Sequence, residues 1–196
     1  MSQTAKAPRP SVLRPEQVRL EELRLEELRA RLIRNFNQVP AERFLRPPRF
    51  DSLSTRITDG TAAHKLGAAI DVLAPGAEAC PYHFHHAQEE MFIVLEGQGT
   101  LRVAGELLPI VAGDVITIPP GPAYPHHIRN TSSAALKYLS ISTQERPEVC
   151  EYPDSDKVSA IIGGQPSIHR RAAGLDYWDG EPGEAAGVSS GPPAKS

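Results

Sequence analysis

The chain is 196 residues long, 40% hydrophobic and 6% aromatic, and carries a formal net charge of −3. A chain of this length suits one domain with extensions, and its apolar content can fill a single hydrophobic core. The near-neutral charge argues against nucleic-acid binding, and two cysteines without a charged-then-apolar leader argue against a secreted disulfide-bonded protein, so we expect a cytoplasmic location.

Charge is unevenly divided along the chain. Residues 1–50 hold eleven Lys or Arg against six acids, and residues 51–196 hold ten against eighteen. This division leaves two interpretations open: a basic arm that docks on an acidic body, or a solvated tail. The longest uncharged run, residues 115–128, contains four prolines and cannot form a membrane helix, so we expect no membrane partner.

The N-terminal segment, residues 1–45, is predicted to be a disordered tail followed by an amphipathic helix. Residues 1–14 have too little apolar surface to offset the entropy of ordering them. From Pro15 the chain is dense in strong helix formers, and the helix should end before Pro40. Four apolar residues share one face, which would pack on the barrel or on a second subunit; the alternative is a helix that is merely solvated. They are Leu25, Leu28, Leu32 and Phe36.

Short β-rich runs dominate the middle of the chain, and Gly or Pro separates most of them. The predicted strands are 66–73, 91–95, 100–103, 106–111, 115–118 and 135–141. Residues 46–66, rich in Pro and Arg, are interpreted as the approach to the first of these strands. Many short strands without an intervening helix predict an all-β sandwich or closed barrel over residues 46–150. Pairing would cover the edge strands of such a barrel, so we expect a homodimer.

Strand signals become sparse beyond residue 142. We interpret residues 151–196 as a C-terminal extension that packs on the barrel, with Tyr177 and Trp178 as its aromatic anchor. From Glu181 onward Gly, Ala, Ser and Pro dominate, so this part of the tail is predicted to be disordered.

Two stretches of the barrel region carry closely spaced polar side chains. His83 and His85 are two residues apart, and such side chains share one face of an extended strand, about 7 Å apart. Glu90 opens the next predicted strand and shares its face with Phe92 and Val94, whereas Glu89 points away and should be solvated. We therefore expect Glu90 to bring a carboxylate back beside the two histidines.

The second stretch, residues 113–130, would add a further histidine to the cluster of His83, His85 and Glu90. His126 and Asn130 share strand parity, whereas His127 faces the other way. We predict that His126 joins the cluster and keep His127 as the alternative.

These residues resemble the two motifs of the cupin superfamily. The first is matched by His83, His85, Glu90 and Gly97, although the leading glycine, Gly76, lies one residue too far upstream. The second is matched by Gly113, Pro119, Gly121, His126 and Asn130, with two extra residues before the histidine. The resemblance covers residues 46–150 and implies a double-stranded β-helix, a jelly-roll or RmlC-like barrel with a metal inside its mouth. Shorter segments look like small bacterial single-barrel cupins, most of unknown substrate and some labelled sugar-phosphate isomerases.

The predicted ligand set is His83, His85, Glu90 and His126. Three imidazoles and one carboxylate suit one divalent transition metal, Fe, Mn, Ni, Cu or Zn, and disfavour Ca and Mg, which prefer oxygen. Four protein ligands on an ion that prefers six leave two positions open for water, substrate or O2. The competing interpretation is a barrel that has lost its metal and keeps these histidines as satisfied polar residues.

Further residues near the motifs are candidates for hydrogen bonds to the metal ligands, for lining the pocket or for acid–base roles. Packing at the rim is the plainer interpretation. These candidates are Tyr82, His86, Tyr124 and His127. No catalytic residue can be assigned from the sequence. Arg102, Arg129 and Lys137 would meet an anionic substrate if they face inward, and would be ordinary surface charges if they face outward.

Two functions remain open. The first is a metal-dependent enzyme acting on a small polar or anionic metabolite by isomerase, lyase or dioxygenase chemistry. The second is a non-catalytic cupin module that binds or senses a small ligand in the same pocket. Because an open coordination site is reactive, the enzyme is the preferred hypothesis.

Overall fold

The computed structural model of the protein describes residues 15–182. The predicted disorder of residues 1–14 and of nearly all of the tail from Glu181 onward concerns residues outside this range. Within it, one helix is followed by thirteen strands and two short 3-10 turns. Their bounds are α1 Pro15–Leu32, β1 Glu42–Arg46, β2 Phe50–Arg56, β3 Leu66–Leu73, β4 Phe84–His85, β5 Glu90–Glu96, β6 Gln98–Val103, β7 Glu106–Val111, β8 Val115–Ile118, β9 His126–Arg129, β10 Leu136–Thr143, β11 Glu148–Tyr152, β12 Lys157–Ile161 and β13 Ser167–Arg170, with 3-10 turns at Pro153–Ser155 and Arg171–Ala173.

The strands form three antiparallel sheets. Their orders are β1-β2-β3-β10-β5-β8, β13-β12-β11-β4 and β7-β6-β9. Non-consecutive neighbours such as β3 and β10 show that the chain returns repeatedly to the same sheets. The protein is therefore mostly β, and its sheets form the double-stranded β-helix implied by the cupin resemblance.

The core lies between the six-stranded and the three-stranded sheets. Leu73, Phe92 and Val94 come from the first sheet, and Leu101 and Ile128 come from the second. Phe92 and Val94 are buried on alternate positions of β5, as the period of two predicts. This alternation also turns Glu90, on the same face, toward the interior.

Strands with apolar alternation were predictable from the sequence, whereas β2, which is rich in polar residues, was not predicted as a strand. The expected runs 66–73, 106–111 and 115–118 have the same bounds as β3, β7 and β8. By contrast, residues 46–66 contain β2, whose buried side chains include Ser52 and Thr55. A strand that buries hydroxyls lacks the apolar alternation that signals a half-buried strand.

The C-terminal region holds more strand than expected. Strand density falls beyond residue 142, as expected, but three strands follow: β11 pairs with β4, and β12 and β13 extend the same sheet. The rings of Tyr177 and Trp178 contact each other and are 83% and 62% exposed, so this pair is not buried against the barrel. The domain boundaries expected at residues 45/46 and 150/151 remain predictions, and β1 and β11 each cross one of them.

Helix α1 reaches the barrel at its C-terminal end. The Ala62 amide donates to the Arg31 carbonyl at 2.9 Å, and the Arg34 guanidinium donates to the Gly60 carbonyl at 3.2 Å. The predicted apolar face is exposed, with Leu25 and Leu32 at 65% and 64%. Among residues 15–182, no helix is both long and apolar enough to cross a membrane.

Candidate metal centre

The four predicted ligands come from three parts of the fold. His85 ends β4, Glu90 begins β5 and His126 begins β9. His83, just before β4, forms an isolated antiparallel bridge with His126, in which each backbone amide donates to the other residue's carbonyl, at 3.1 and 2.7 Å. The four side chains therefore meet where the ends of these strands come together.

Three of the four, His83, Glu90 and His126, bring their donor atoms together, and His85 approaches the same carboxylate. His126 Nε2 lies 2.9 Å and His85 Nε2 lies 3.5 Å from Glu90 Oε2. The ring of His83 is centred 5.0 Å from that of His85 and 4.8 Å from that of His126. One donor atom each of His83, Glu90 and His126 lie within 4.8 Å of one another. Ligand atoms about 2 Å from a common ion lie about 3 to 4 Å apart, so these separations are compatible with joint coordination.

The other ring nitrogen of each histidine has an acceptor beside it. His83 Nδ1 lies 2.9 Å from the Pro81 carbonyl, and His126 Nδ1 lies 3.2 Å from the Tyr124 carbonyl. His85 Nδ1 lies 3.2 Å from Glu148 Oε1. Donation from Nδ1–H to these oxygens leaves the Nε2 lone pairs free, which is the tautomer that an Nε2-bound metal requires.

Two of the donor atoms are buried without a hydrogen bond. Glu90 Oε2 and His126 Nε2 have negligible solvent exposure, and neither makes a well-directed hydrogen bond although the two atoms are 2.9 Å apart. Buried polar atoms in proteins are normally paired, so this pair requires an explanation. A cation bound between them would satisfy both, and the donor set therefore fits the expected metal.

The protonation states also suit coordination. Burial, with the neighbouring His126 acting in the same direction, lowers the pKa of His83 to about 4. Burial alone would raise the pKa of Glu90, but the contact with His126 and the nearby rings of His85 and His83 outweigh it and lower the pKa. At neutral pH His83 is therefore neutral and Glu90 is ionised, the forms in which both bind metals.

Glu148 is a site residue that the sequence did not reveal. It is 1% exposed, and Oε1 accepts hydrogen bonds from His85 Nδ1 and the His86 amide. Oε2 accepts from the amides of Ala87 and Gln88 at 3.1 and 2.9 Å. One carboxylate thus orients a predicted ligand and organises the turn that leads to Glu90. It lies outside both motifs, and only the pairing of β11 with β4 brings it here.

Two free thiols lie beside the histidines. Donor atoms of His83, His85 and Cys150 lie within 4.8 Å of one another, and Cys80 Sγ is 3.7 Å from His83 Nδ1. Burial raises the pKa of Cys150 to about 11 and also raises that of Cys80, so both remain protonated at neutral pH. A protonated thiol is a poor ligand in comparison with the imidazoles and the carboxylate.

Tyr82 and His127, two of the candidates for supporting roles, pack together away from the ligand set. Both are buried, with their rings edge to face at 5.6 Å. The Tyr82 hydroxyl accepts a hydrogen bond from the Gly105 amide, and the Arg102 guanidinium lies over its ring at 3.7 Å. His127 also borders the cavity beside the ligands, whereas Tyr82 does not.

The other two candidates sit nearer the surface. His86 Nε2 lies 2.8 Å from Glu151 Oε1, and its side chain is 43% exposed. Tyr124 is 46% exposed, and its backbone carbonyl, rather than its ring, contacts His126 Nδ1. The neighbouring Glu89 is exposed, as parity predicted.

The motif glycine and asparagine have structural roles. Gly97 has a φ of +83°, and a Cβ atom there would lie 2.4 Å from the Ala135 carbonyl oxygen, so only glycine fits. Asn130 is 1% exposed, and its Nδ2 donates to the Leu73 and Ala134 carbonyls at 2.9 and 2.7 Å. Asn130 therefore secures the turn after β9 and is not among the converging donors.

A cavity of about 200 Å³ lies against the ligands. His83, Glu90 and His126 line it together with Asp71 and Ser140. The Ser140 hydroxyl donates to Asp71 Oδ2 at 2.8 Å, and burial raises the pKa of Asp71. The cavity is thus lined by two carboxyl groups, that of Asp71 and that of the predicted ligand Glu90.

The basic residues proposed for an anionic substrate are paired with acids. Arg102 contacts Asp154, Arg129 contacts Glu78 and Lys137 contacts Glu96. None of the three lines the cavity beside the ligands, which supports the outward-facing interpretation.

Comparison with known proteins agrees with this fold. Residues 69–142 match the Cupin domain family. Auxin-binding protein 1 of Arabidopsis thaliana is 31% identical over 135 residues, which make up 63% of this chain and 64% of that protein. The chain therefore spans less than two thirds of this relative's length.

Two solved bacterial structures share the architecture. A protein of Acidithiobacillus ferrooxidans, provisionally named a sugar phosphate isomerase, is 26% identical with a TM-score of 0.68, over 76% of this chain and 97% of that one. A sugar phosphate isomerase of Silicibacter pomeroyi is 23% identical with a TM-score of 0.65, over 74% of this chain and 96% of that one, a likeness of fold alone. Since the family match, the sheet topology and these structures all agree, residues 69–142 form a cupin domain and the chain has the cupin fold.

Proposed function

We propose that this protein is a metal-dependent enzyme that acts on a small polar or anionic metabolite. His83, His85, Glu90 and His126 would hold one divalent transition ion, Fe, Mn, Ni, Cu or Zn. The observation that carries the proposal is the buried, unbonded pair of Glu90 Oε2 and His126 Nε2, with His85 Nε2 3.5 Å from the same oxygen.

The chain's own residues supply the remaining chemistry. A bound ion with open positions would polarise a carbonyl or enediol oxygen of the substrate as a Lewis acid. Asp71, across the cavity, holds a carboxyl group whose pKa is raised by burial and whose Oδ2 accepts from the Ser140 hydroxyl. A carboxyl group with a raised pKa is suited to taking up and returning a proton, so we propose Asp71 as the general acid–base.

Isomerisation is the best-supported reaction class. The Acidithiobacillus ferrooxidans protein provisionally named a sugar phosphate isomerase is 26% identical and is covered over 97% of its length. Lyase and dioxygenase chemistry use the same kind of open site, and a shared fold does not by itself choose among them. Anaerobic conversion of a ketose or aldose phosphate would support isomerisation, and O2 uptake dependent on Fe(II) would instead support dioxygenation.

Ligand sensing is the second candidate. The observation that favours it is the 31% identity to auxin-binding protein 1, a protein named for binding a small molecule. A sensing module would retain its ligand tightly without turnover. Product analysis by mass spectrometry, after incubating the metal-loaded protein with a sugar phosphate, separates the two functions.

The ligand set is tested by three single variants. His83→Ala and Glu90→Ala should each lower the metal content of the purified protein, measured by inductively coupled plasma mass spectrometry, while circular dichroism shows the barrel still folded. Glu89→Ala is the matched control, because Glu89 is adjacent but exposed. Full metal retention in both His83→Ala and Glu90→Ala would remove the site.

We also propose a homodimer in a reducing, cytoplasmic environment. The exposed leucines of α1, among them Leu25 and Leu28, offer apolar surface for a second copy, and both cysteines are free thiols. Light scattering should give twice the chain mass for the wild type, and Leu25→Glu with Leu28→Glu should reduce it to one chain mass. An unchanged mass in this double variant would exclude α1 as the interface.

A further inference from the structure

A groove of about 700 Å³ adjoins the metal-site cavity. Asp71, Glu90 and Ser140 line both spaces, so the groove meets the cavity at the carboxylate of the ligand set. The volume of the groove lies within the range of small-molecule sites, whereas the cavity alone is smaller. A molecule lying in the groove would reach Glu90 with one end.

The part of the groove beyond this junction is basic. Arg56, at the end of β2, and Arg146, between β10 and β11, line the groove but not the cavity, and His64 lies with them. Among the residues that line this part of the groove, one is acidic, Asp59. Two arginines against one aspartate leave an excess of positive charge where a substrate would enter.

In the described part of the chain neither arginine forms an ion pair, although the charge of Arg56 opposes the rise in the pKa of Asp71. Within residues 15–182 no carboxylate lies within 4.0 Å of either guanidinium, whereas Arg43, Arg102 and Arg129 each lie against one. An unpaired guanidinium keeps its planar set of donors available for bidentate contacts to phosphate or carboxylate oxygens.

The loop that forms one wall of the groove is held in place. Thr61 Oγ1 donates to the Thr58 carbonyl at 2.7 Å, and the Ala68 amide donates to Thr58 Oγ1 at 3.1 Å. The end of α1 braces the same loop through the hydrogen bonds to Ala62 and Gly60. The helical extension thus supports the wall of a preformed site.

We propose that this groove binds the phosphate group of a phosphorylated small substrate, with Arg56 and Arg146 as its ligands and the rest of the molecule extending to Glu90. The proposal rests on the proposed function, because it assigns the groove as the substrate entrance of that site. Two guanidiniums match the charge of a phosphate dianion, and the hydroxyls of Ser54 and Ser142, which also line the groove, are of the kind that bind sugars and phosphates.

The test measures binding to metal-loaded protein by isothermal titration calorimetry. The probes are fructose 6-phosphate, unphosphorylated fructose and inorganic phosphate. The wild type should bind fructose 6-phosphate more tightly than fructose, and inorganic phosphate should compete with it. Arg56→Gln and Arg146→Gln should each weaken fructose 6-phosphate binding about tenfold or more. Arg24→Gln, on exposed α1, is the matched control and should change nothing.

Metal content separates the two proposals. Arg56→Gln and Arg146→Gln should retain the wild-type metal content, because neither residue is in the donor set. Phosphate-dependent binding that persists in metal-depleted protein would support the groove even if the metal proposal failed. Equal affinity for fructose and fructose 6-phosphate, wild-type affinity in both arginine variants, or no binding of either phosphate compound would overturn the inference.

Discussion

Glu148 accepts a hydrogen bond from His85 Nδ1 at 3.2 Å, and this contact joins two residues 63 positions apart. The same carboxylate accepts three backbone amides from the turn before β5. One buried side chain therefore sets both the tautomer of a proposed metal ligand and the path of the chain to Glu90.

The first prediction concerns this carboxylate. Glu148→Gln replaces one carboxylate oxygen, a hydrogen-bond acceptor, with an NH2 group, a donor. This donor would face other donors, either the amides of Ala87 and Gln88 or the Nδ1–H of His85. Because an outer partner fixes the orientation of a metal-binding histidine, we expect the metal dissociation constant to rise about 10- to 100-fold. Titration with a competing chelator measures this change. Glu151→Gln, at the neighbouring surface contact with His86, is the control, and equal affinities in the two variants would contradict the prediction.

The second prediction concerns pH and the stability of the metal-free protein. The pKa of His83 is about 4 in the folded state and near 6.5 when unperturbed. Between these values the unfolded chain binds the additional proton, so stability falls as pH falls through this window, by at most about 3 kcal/mol. Urea unfolding at pH 7 and pH 4.5 measures the loss.

The loss should be smaller in His83→Asn, which lacks the titrating ring. His169→Asn, at an exposed position, should behave like the wild type. An identical pH dependence in His83→Asn and the wild type would show that His83 does not cause the loss.

The third prediction concerns the buried carboxylate of Glu78. Its side chain is 3% exposed and contacts Arg49 at 3.0 Å and Arg129 at 3.1 Å. Glu78→Ala should lower the free energy of unfolding by about 1.5 to 3 kcal/mol, the range for hydrogen bonds to charged groups, because the half-exposed guanidiniums regain water. Urea denaturation measures this, and metal content should stay at the wild-type value. A loss of metal equal to that of Glu90→Ala would show that Glu78 takes part in the site.

The fourth prediction separates backbone conformation from steric fit. Gly97 and Gly105 have similar φ values, +83° and +86°, but only at Gly97 would a Cβ atom collide with backbone. Gly105→Ala should cost about 1 kcal/mol, the penalty for the left-handed conformation alone, and Gly97→Ala should cost at least about 2 kcal/mol. Thermal unfolding of the two variants measures the difference, and equal losses would rule out the collision as the cause.

The local geometry of the site could be predicted from the sequence. The period of two along a strand placed Glu90 on the face of Phe92 and Val94 and left Glu89 exposed, as the structure has it. Strand bounds were predictable where apolar alternation is strong, as in β3 and β7, because side-chain direction depends on neighbouring residues alone.

Contacts between distant segments could not be predicted in this way. Glu148 and Cys150 reach the histidines because β11 pairs with β4, and Arg56 and Arg146 line one groove because the ends of β2 and β10 lie on the same side of the barrel. Strand pairing sets these neighbours through backbone hydrogen bonds that carry no side-chain signature. The residue types and spacings of the sequence thus determined a barrel and predicted a donor set. The tertiary structure alone decided which buried acid contacts His85 and which unpaired arginines lie in the adjoining groove, because those contacts join segments far apart in the chain.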